Sequence, residues 1–216
     1  ATLLGATGLT GGFLLKELLE DADFSAVNIL TRSPVDISSP KLQSTITDFN
    51  DKHQYRSDIG NPNVIFCCIG TTMKKVKGDK RRYREIDVDI PVDAAIFGAA
   101  AGVKKYVLIS ALSANSKSAI FYNNIKGQAE DGVISSGIPS IHIFRPSLLT
   151  GPRNEKRTGE GIAEKIMKII DPFLKNSKYH SISTEILARA MKNVSKSEET
   201  GVHYYTYKDI LRLAAL

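Results

Sequence analysis

The sequence contains no tryptophan, only two cysteines and no long apolar run. The cysteines, Cys67 and Cys68, are neighbours whose side chains would point to opposite faces of a strand, so a disulfide between them is not expected. A metal site needs more ligands at a better spacing, so we predict two buried structural thiols and no metal centre. A membrane span needs roughly 20 apolar residues. No stretch approaches that length, so a membrane protein is not expected.

The start of the chain also lacks the basic segment and the apolar run of a secretory signal peptide. Together with the scarcity of cysteine, this predicts a cytoplasmic protein. An apolar strand pattern begins at residue 1. Because strands rarely begin without lead-in residues, we expect the natural chain to start slightly upstream.

The charge balance is basic, with a formal net charge of +6 and a pI of about 9.2. The positive residues are spread out except in residues 74–84, KKVKGDKRRYR. We interpret this run as a solvated loop and helix start. The alternative is a contribution to binding a phosphorylated cofactor or substrate. Only Tyr83 adds an aromatic ring there, so the run lacks a base-stacking platform and nucleic acid is not an expected partner.

Short apolar, β-branched runs recur and are mostly continuous, which is typical of strands buried on both faces of a parallel sheet. The predicted strands are residues 1–4, 27–31, 44–47, 64–69, 106–110, 141–144 and 204–207. The predicted helices are residues 9–19, 83–101, 122–135, 161–170, 184–194 and 209–216, and 150–158 is a predicted loop. This alternation predicts an α/β fold with a doubly wound, Rossmann-type parallel sheet. A length of 216 residues suits a single domain over residues 1–216.

A glycine-rich turn, LLGATGLTGG, joins the first predicted strand to the first predicted helix. Gly5 allows a sharp turn off the strand, Gly8 lets the backbone approach a pyrophosphate, and Gly11 lets the helix pack close to the sheet. The N–H groups of the helix start then point at the phosphates. This strand–turn–helix context predicts a dinucleotide site. The residues assigned to it here are Gly5, Thr7, Gly8, Leu9, Thr10 and Gly11.

The end of the second predicted strand bears on the choice between NAD and NADP. NAD-preferring folds carry an acidic residue there, which binds the ribose hydroxyls. Here Arg32 and Ser33 follow the strand instead, and a guanidinium is suited to the 2′-phosphate of NADP. We therefore predict NADP as the cofactor. NAD stays an alternative because Asp36 lies nearby, and Arg32 also has the plain interpretation of a surface residue.

Tyr122 and Lys126 form a Tyr-x-x-x-Lys pair, whose spacing puts both side chains on one face of a helix. Such pairs arise by chance, and Tyr204 with Lys208 is a second one. Position separates the two pairs, because Tyr122 begins the helix that follows the predicted strand ending at Ser110. The carboxyl ends of parallel strands face the ligand crevice. We therefore predict that Ser110, Tyr122 and Lys126 converge beside the nicotinamide and that Tyr204 is structural.

These residue types suit hydride transfer to a carbonyl, which builds negative charge on an oxygen that must then be protonated. A phenol is a weak acid, with an ordinary pKa near 10, and a neighbouring ammonium stabilises its charged form. The lysine can also hold the nicotinamide ribose, and a serine hydroxyl can donate to the carbonyl oxygen. We assign these roles to Tyr122, Lys126 and Ser110, with Ser113 as the alternative serine.

The chain resembles atypical short-chain dehydrogenases/reductases, specifically the family of the HIV Tat-interacting oxidoreductase-like proteins and their bacterial relatives. The resemblance covers most of residues 1–152 and, more loosely, SISTEILARAMKNV near the C-terminus. The motifs that carry it are GATGLTGG, TRSP, TDFND, FCCIGTT, REIDVD, YVLISALSANSKSAIFYNNIKGQAE and IFRPSLLTGPR.

The resemblance implies further roles. It places Asp48 and Phe49 beside the adenine, and it gives residues from about 147 to 216 the substrate pocket. The remaining contacts it implies are Ile69, Gly70 and Thr71 along the adenine ribose and pyrophosphate, and Pro146 and Ser147 near the nicotinamide. One position departs from the pattern: Asp87 stands where many short-chain dehydrogenases have a proton-relay asparagine.

The sequence thus predicts an NADP(H)-dependent oxidoreductase acting on a small carbonyl or alcohol, as a monomer or a homodimer. Two alternatives stay open. One is a nucleotide-sugar epimerase or dehydratase, for which the 67 residues after Leu149 are short. The other is an NADPH-binding regulator with little turnover.

Overall fold

A parallel sheet of seven strands forms the centre of the molecule in the computed structural model, which describes residues 1–151 and 180–216. The order across the sheet is β3-β2-β1-β4-β5-β6-β9, and every pairing in it is parallel. Its strands are β1 (Thr2–Leu4), β2 (Val27–Thr31), β3 (Leu42–Ile46), β4 (Val64–Cys67), β5 (Lys105–Ile109), β6 (Ser140–Phe144) and β9 (Gly201–Tyr205). Two short strands, β7 (Leu149–Thr150) and β8 (Ile182–Ser183), pair with each other in parallel. This architecture confirms the predicted Rossmann-type sheet.

The strands are apolar because the sheet is covered on both faces. Along β1, Leu3 packs into one apolar core and Leu4 into a second one, as expected when successive side chains point to opposite faces. The first core includes residues of α1 (Leu9–Glu20) and α6 (Thr184–Val194). The second includes residues of α2 (Lys52–Ile59) and α4 (Ile90–Ala100). Helices therefore flank the sheet on both sides.

The strand order fixes where a ligand crevice opens. The chain runs outward from β1 to β3 and then returns to pair β4 with the other side of β1. In open α/β sheets, ligands bind outside the carboxyl ends of the strands at such a switch point. The residues that follow β1, β2, β4, β5 and β6 are therefore the ones placed around this crevice.

Most predicted elements are present with small shifts at their ends. The predicted helix over residues 83–101 is longer and divided: α3 (Lys80–Arg84) leads into a π-helical turn (Glu85–Asp89) and then into α4. Gly102 follows with a φ of +83°, as expected for a glycine just beyond a helix end. The remaining helices are α5 (Phe121–Ile134) and α7 (Tyr207–Ala214).

Three regions differ from the sequence predictions. Helix α2 was missed, although Asp51 caps it by accepting from the N–H groups of His53 and Gln54. The last strand of the sheet is residues 201–205 rather than 204–207, and Thr150 pairs in β7 rather than lying in a loop. The predicted helix 161–170 and residues 152–158 of the predicted loop lie outside the described residues. Within the described part of the chain, no helix has the length and apolar character needed to cross a membrane.

Candidate active site at the switch point

The glycine turn after β1 is shaped by two close backbone approaches. Gly5 has a φ of +85°, and a Cβ built on it would lie 2.7 Å from the carbonyl carbon of Cys68, which follows β4. A Cβ on Gly11 would lie 2.1 Å from the Gly5 carbonyl oxygen. The Gly8 N–H donates to that same oxygen at 2.9 Å. The turn is therefore closed in a form that a side chain at Gly5 or Gly11 would break.

The start of α1 is left open for an anion. Gly8 is its N-cap residue and supplies no side-chain hydrogen bond, and the first turn carries no acidic side chain. The first N–H groups of any helix lack an intrahelical acceptor. Those of Leu9, Thr10 and Gly11 thus face the crevice side of the helix, where the macrodipole also favours negative charge. This arrangement fits a dinucleotide pyrophosphate.

The loop after β4, comprising residues 69–71, lies beside the glycine turn because β4 neighbours β1. The Thr71 N–H donates to Oδ2 of Asp87 at 2.7 Å. The Thr71 carbonyl accepts from the Tyr83 hydroxyl at 3.2 Å. Gly70 between Ile69 and Thr71 is exposed. The hydrogen bonds to Asp87 and from Tyr83 therefore hold the loop at Thr71, and Gly70 is left exposed at the carboxyl end of β4.

The residues after β2 and β3 include those expected from the sequence to lie near the adenine. Arg32 and Ser33 are exposed, and Arg32 forms no ion pair with another described residue. The exposed Asp48 accepts from the Asn50 N–H at 2.9 Å. Phe49 is buried, with its ring 4.8 Å from the ring of Tyr55. The ring of Phe49 thus belongs to the core, and its backbone and Asp48 are what this segment offers a ligand.

Ser110 directly follows β5 and is buried, yet its Oγ has no hydrogen-bond partner among the described residues. A buried hydroxyl without a partner is costly, so such a group needs an explanation, and a ligand supplies one. Ser113, the alternative serine, is exposed. Pro146 is buried after β6, and its carbonyl accepts from the Leu112 N–H at 3.1 Å.

Tyr122 and Lys126 lie in the first two turns of α5, and the loop after Ser110 folds back tightly onto this helix. The Asn115 N–H donates to the Asn123 carbonyl at 2.9 Å. A Cβ on Gly127 would lie 2.0 Å from the Ser116 nitrogen, so only glycine permits this approach. The tight return brings the end of β5 and the start of α5 to the same edge of the sheet.

Lys126 is buried and paired, while Tyr122 is 45% exposed. The Lys126 ammonium lies 2.9 Å from Oδ1 of Asp87, whose side chain is 1% exposed. Burial by itself would lower the pKa of Lys126, but the charge of Asp87, with a smaller contribution from Tyr122, raises it above the ordinary value. The lysine is therefore held as an ammonium beside the tyrosine. The sequence marked Asp87 only as a departure from a family pattern and did not predict this pair.

The second Tyr-x-x-x-Lys pair has a different setting. Tyr204 lies in β9 and Lys208 in α7, so the two do not share a helix face. The guanidinium of Arg145 lies 4.3 Å from the centre of the Tyr204 ring. Cation–π contacts of this kind stabilise a fold, which agrees with the structural role predicted for Tyr204.

The two cysteines are free thiols at the end of β4. Cys67 is buried, and burial raises its pKa above the ordinary value. Burial also raises the pKa of Cys68. The neutral thiol is thereby favoured at both positions. Cys67 is buried as predicted, whereas Cys68 is half-buried rather than buried.

Comparison with known proteins agrees with this geometry. The sequence matches a family described as NAD(P)H-binding over residues 5–195. The chain belongs to this NAD(P)H-binding family. The rat protein named HTATIP2 is 32% identical to it over 166 residues, which is 76% of this chain and 68% of the relative. A protein of Scheffersomyces stipitis named FMP52-1, mitochondrial, is 28% identical over 224 residues, an alignment that covers 99% of this chain and 97% of that protein. These relatives confirm the predicted place among atypical short-chain dehydrogenases/reductases.

Solved structures resemble this member of the NAD(P)H-binding family in fold. MoeE5 in complex with UDP-glucose and NAD superposes with a TM-score of 0.70 at 15% identity, covering 99% of this chain and 80% of that one. The Bordetella bronchiseptica enzyme WbmH in complex with NAD+ gives a TM-score of 0.70 at 16% identity, covering 95% and 74%. At such identities the likeness establishes the fold, and function must be argued from the site.

Proposed function

We propose that this protein is an NADP(H)-dependent oxidoreductase that transfers a hydride to or from a small carbonyl or alcohol substrate. The observation that carries the proposal is the setting of Ser110, Tyr122 and Lys126 at the carboxyl end of β5 and the start of α5. The buried Ser110 hydroxyl has no partner among the described residues, so it is available to a substrate oxygen. When bound, the nicotinamide ring supplies or accepts the hydride.

Each of the three side chains has one task. In the reducing direction the Tyr122 hydroxyl gives its proton to the substrate oxygen, and in the oxidising direction it takes the proton back. The Lys126 ammonium stabilises the phenolate that this transfer leaves and holds the hydroxyls of the nicotinamide ribose. The Ser110 hydroxyl donates a hydrogen bond to the same substrate oxygen and stabilises the charge that develops on it.

Changing Tyr122 to Phe tests this assignment. The phenyl ring keeps the packing and removes the proton, so we expect turnover of a carbonyl panel to fall at least about 100-fold. The dissociation constant for NADPH, measured by the quenching or enhancement of its fluorescence, should change less than about threefold. Tyr204→Phe is the matched control and should retain turnover, because that ring lies under Arg145. A Tyr122→Phe variant as active as this control would refute the role.

The preference for NADP is supported by Arg32, exposed after β2 and without an ion-pair partner among the described residues. A charge-assisted hydrogen bond to a 2′-phosphate contributes about 1.5–3 kcal/mol, so Arg32→Ala should weaken NADPH binding by roughly 10- to 100-fold. NADH, which lacks that phosphate, should bind this variant and the wild type with similar affinity. Equal affinities of the wild type for NADPH and NADH would sink the assignment.

Two other functions are distinguished by the same assays. A nucleotide-sugar epimerase is supported by the likeness to MoeE5, whose structure contains UDP-glucose with NAD. It predicts conversion of UDP-sugars without net consumption of NADPH. A redox-sensing regulator predicts tight NADPH binding with no turnover on any carbonyl or UDP-sugar. The buried Ser110 hydroxyl, which has no partner among the described residues, supports an enzyme over a regulator, and the two assays distinguish the two enzymes.

The wider setting of the proposed enzyme follows from the sequence. We propose a single domain in which residues 147–216 contribute the substrate pocket, and a monomer or homodimer whose partner is a small molecule rather than a nucleic acid or a membrane. The cytoplasmic location stays a prediction, and the fungal relatives carry the word mitochondrial in their names.

A further inference from the structure

The π-helical turn Glu85–Asp89 interrupts an otherwise continuous helix from Lys80 to Ala100. Its wider hydrogen bonding is seen in the Ile90 N–H, which donates to the Glu85 carbonyl five residues back. Single π turns inside α-helices are rare and occur frequently at functional sites. Asp87 is the central residue of this turn and is 1% exposed. The irregular turn thus coincides with the carboxylate that contacts Lys126.

Asp87 uses its two oxygens on two different elements. Oδ1 lies 2.9 Å from the Lys126 ammonium of α5, and Oδ2 accepts from the Thr71 N–H of the loop after β4 at 2.7 Å. A buried ion pair is weak evidence for stability, because the cost of desolvating both charges offsets their attraction. Replacing such pairs by apolar residues is often neutral for stability, so a role beyond stability is worth considering for this one.

The surroundings of the pair point toward the crevice. A Cβ on Gly70 would lie 3.6 Å from Oδ1 of Asp87 and 3.7 Å from the Lys126 nitrogen, so this exposed glycine lies directly against the pair. The other titratable groups that act on the ammonium are Tyr122 on its own helix and Tyr83 on α3, and Cys67 of β4 lies within electrostatic reach. Asp87 is the carboxylate among these groups, and its Oδ1 lies 2.9 Å from the ammonium.

We propose that Asp87 is a positioning residue that acts through Lys126: it fixes the ammonium beside Tyr122 and ties to it the loop of residues 69–71. The carboxylate thereby links the loop of residues 69–71 to Lys126. The loop is the one assigned to the adenine ribose and pyrophosphate, and Lys126 is assigned to the nicotinamide ribose and to the Tyr122 phenol. This role rests on the proposed oxidoreductase function.

A double-mutant cycle tests whether Asp87 acts through the lysine. Asp87→Asn keeps the size of the side chain and an oxygen for the Thr71 N–H but removes the charge, so kcat should fall at least about 10-fold with little change in KM for the carbonyl substrate. Lys126→Met should lower kcat further. The double variant should be no slower than Lys126→Met alone. Independent, multiplying losses in the double variant would overturn the proposal.

A matched control separates this role from a loss of folding stability. Glu130 is a second buried carboxylate. It lies on α5 and pairs with the side chain of Arg145. Glu130→Gln therefore makes the same chemical change in a comparable buried pair, and it should lower stability toward urea while leaving kcat within about twofold. If Asp87→Asn and Glu130→Gln lower kcat equally, Asp87 has only a structural role.

A readout without turnover keeps the proposal distinct from the proposed function. In protein labelled at its lysine side chains, the Lys126 13Cε resonance should titrate at a pH at least about one unit lower in Asp87→Asn than in the wild type, because burial then acts unopposed. NADPH affinity should fall more in Asp87→Ala, which also loses the Thr71 contact, than in Asp87→Asn. If the Lys126 resonance and the NADPH affinities change as expected but the protein turns over no carbonyl, the oxidoreductase function is refuted, while the coupling of Asp87 to Lys126 and the 69–71 loop is supported. An unmoved Lys126 resonance would overturn the coupling whatever the activity.

Discussion

At the scale of single residues, backbone contact rather than chemistry decides which glycines the site needs. Gly5 and Gly11 have other backbone atoms where a Cβ would lie, and Gly127 has the Ser116 nitrogen there. The first two were predictable because their spacing follows a strand and opens a helix, all within a dozen residues. Gly127 was not, because the loop that packs against it has no recognisable pattern of its own.

Two neighbouring glycines of α1 allow a direct test of this distinction. A Cβ on Gly11 would overlap the Gly5 carbonyl, whereas a Cβ on Gly12 would meet only the Ala6 oxygen at 3.6 Å, an ordinary contact. We expect Gly11→Ala to lower the free energy of unfolding by about 1–3 kcal/mol and to weaken NADPH binding. Gly12→Ala should raise stability by up to about 1 kcal/mol, since alanine favours helix. Urea unfolding of the two variants checks both expectations, and equal effects would show that the turn tolerates a side chain at Gly11.

At the scale of helices and strands, the sequence predicted best where apolar runs are long. Helix α2 was missed because only Tyr55 and Ile59 on it are buried, although Asp51 and Gly60 mark its two ends. The π turn was also missed, because the segment around it reads as an ordinary helix. For the same reason the pairing of Asp87 with Lys126 was not foreseen: it depends on which way the wide turn directs one side chain.

Strand β6, which pairs with the outermost strand β9, contains a buried histidine that should make stability depend on pH. His142 has its Nε2 2.9 Å from the Ser140 hydroxyl and its Nδ1 2.8 Å from the Tyr205 hydroxyl. Burial lowers the pKa of His142 to about 4, and the charges of His203 and Lys105 act in the same direction. In the unfolded chain a histidine titrates near 6.5. The neutral His142 ring therefore makes its full contribution to the free energy of unfolding above about pH 6.5, and this contribution is lost as the pH falls toward 4.

The expected effect is measurable by urea unfolding between pH 7.5 and 4.5. The wild type should lose about 2 kcal/mol more over this range than His142→Gln, since a one-unit pKa difference corresponds to roughly 1.4 kcal/mol. His53→Gln is the control, because that side chain is exposed and lies on α2, where it does not contact His142. Parallel pH profiles for the wild type and His142→Gln would contradict the assignment.

At the scale of the whole molecule, the strand order explains why residues distant in sequence meet. The observed strand order puts β1, β4 and β5 side by side, so Gly5, Ile69 and Ser110, which follow these strands, lie along one edge of the sheet. Contacts between loops at that edge did not follow from the topology. The sequence therefore predicted which strand ends carry these residues, but it did not predict the ion pair between Asp87 and Lys126.

The π turn also sets the rotational phase between two parts of one helix. An α-helix advances about 100° per residue, so one extra residue in the wide turn rotates α3 by roughly that angle relative to α4. As a result Tyr83 meets Phe121 at the head of α5, while Ala94 and Ala95 on α4 face the sheet. We expect that deleting one residue from the turn would restore a regular helix and rotate α3 (Lys80–Arg84) away from α5. The length of this segment therefore matters together with the identity of Asp87 at its centre.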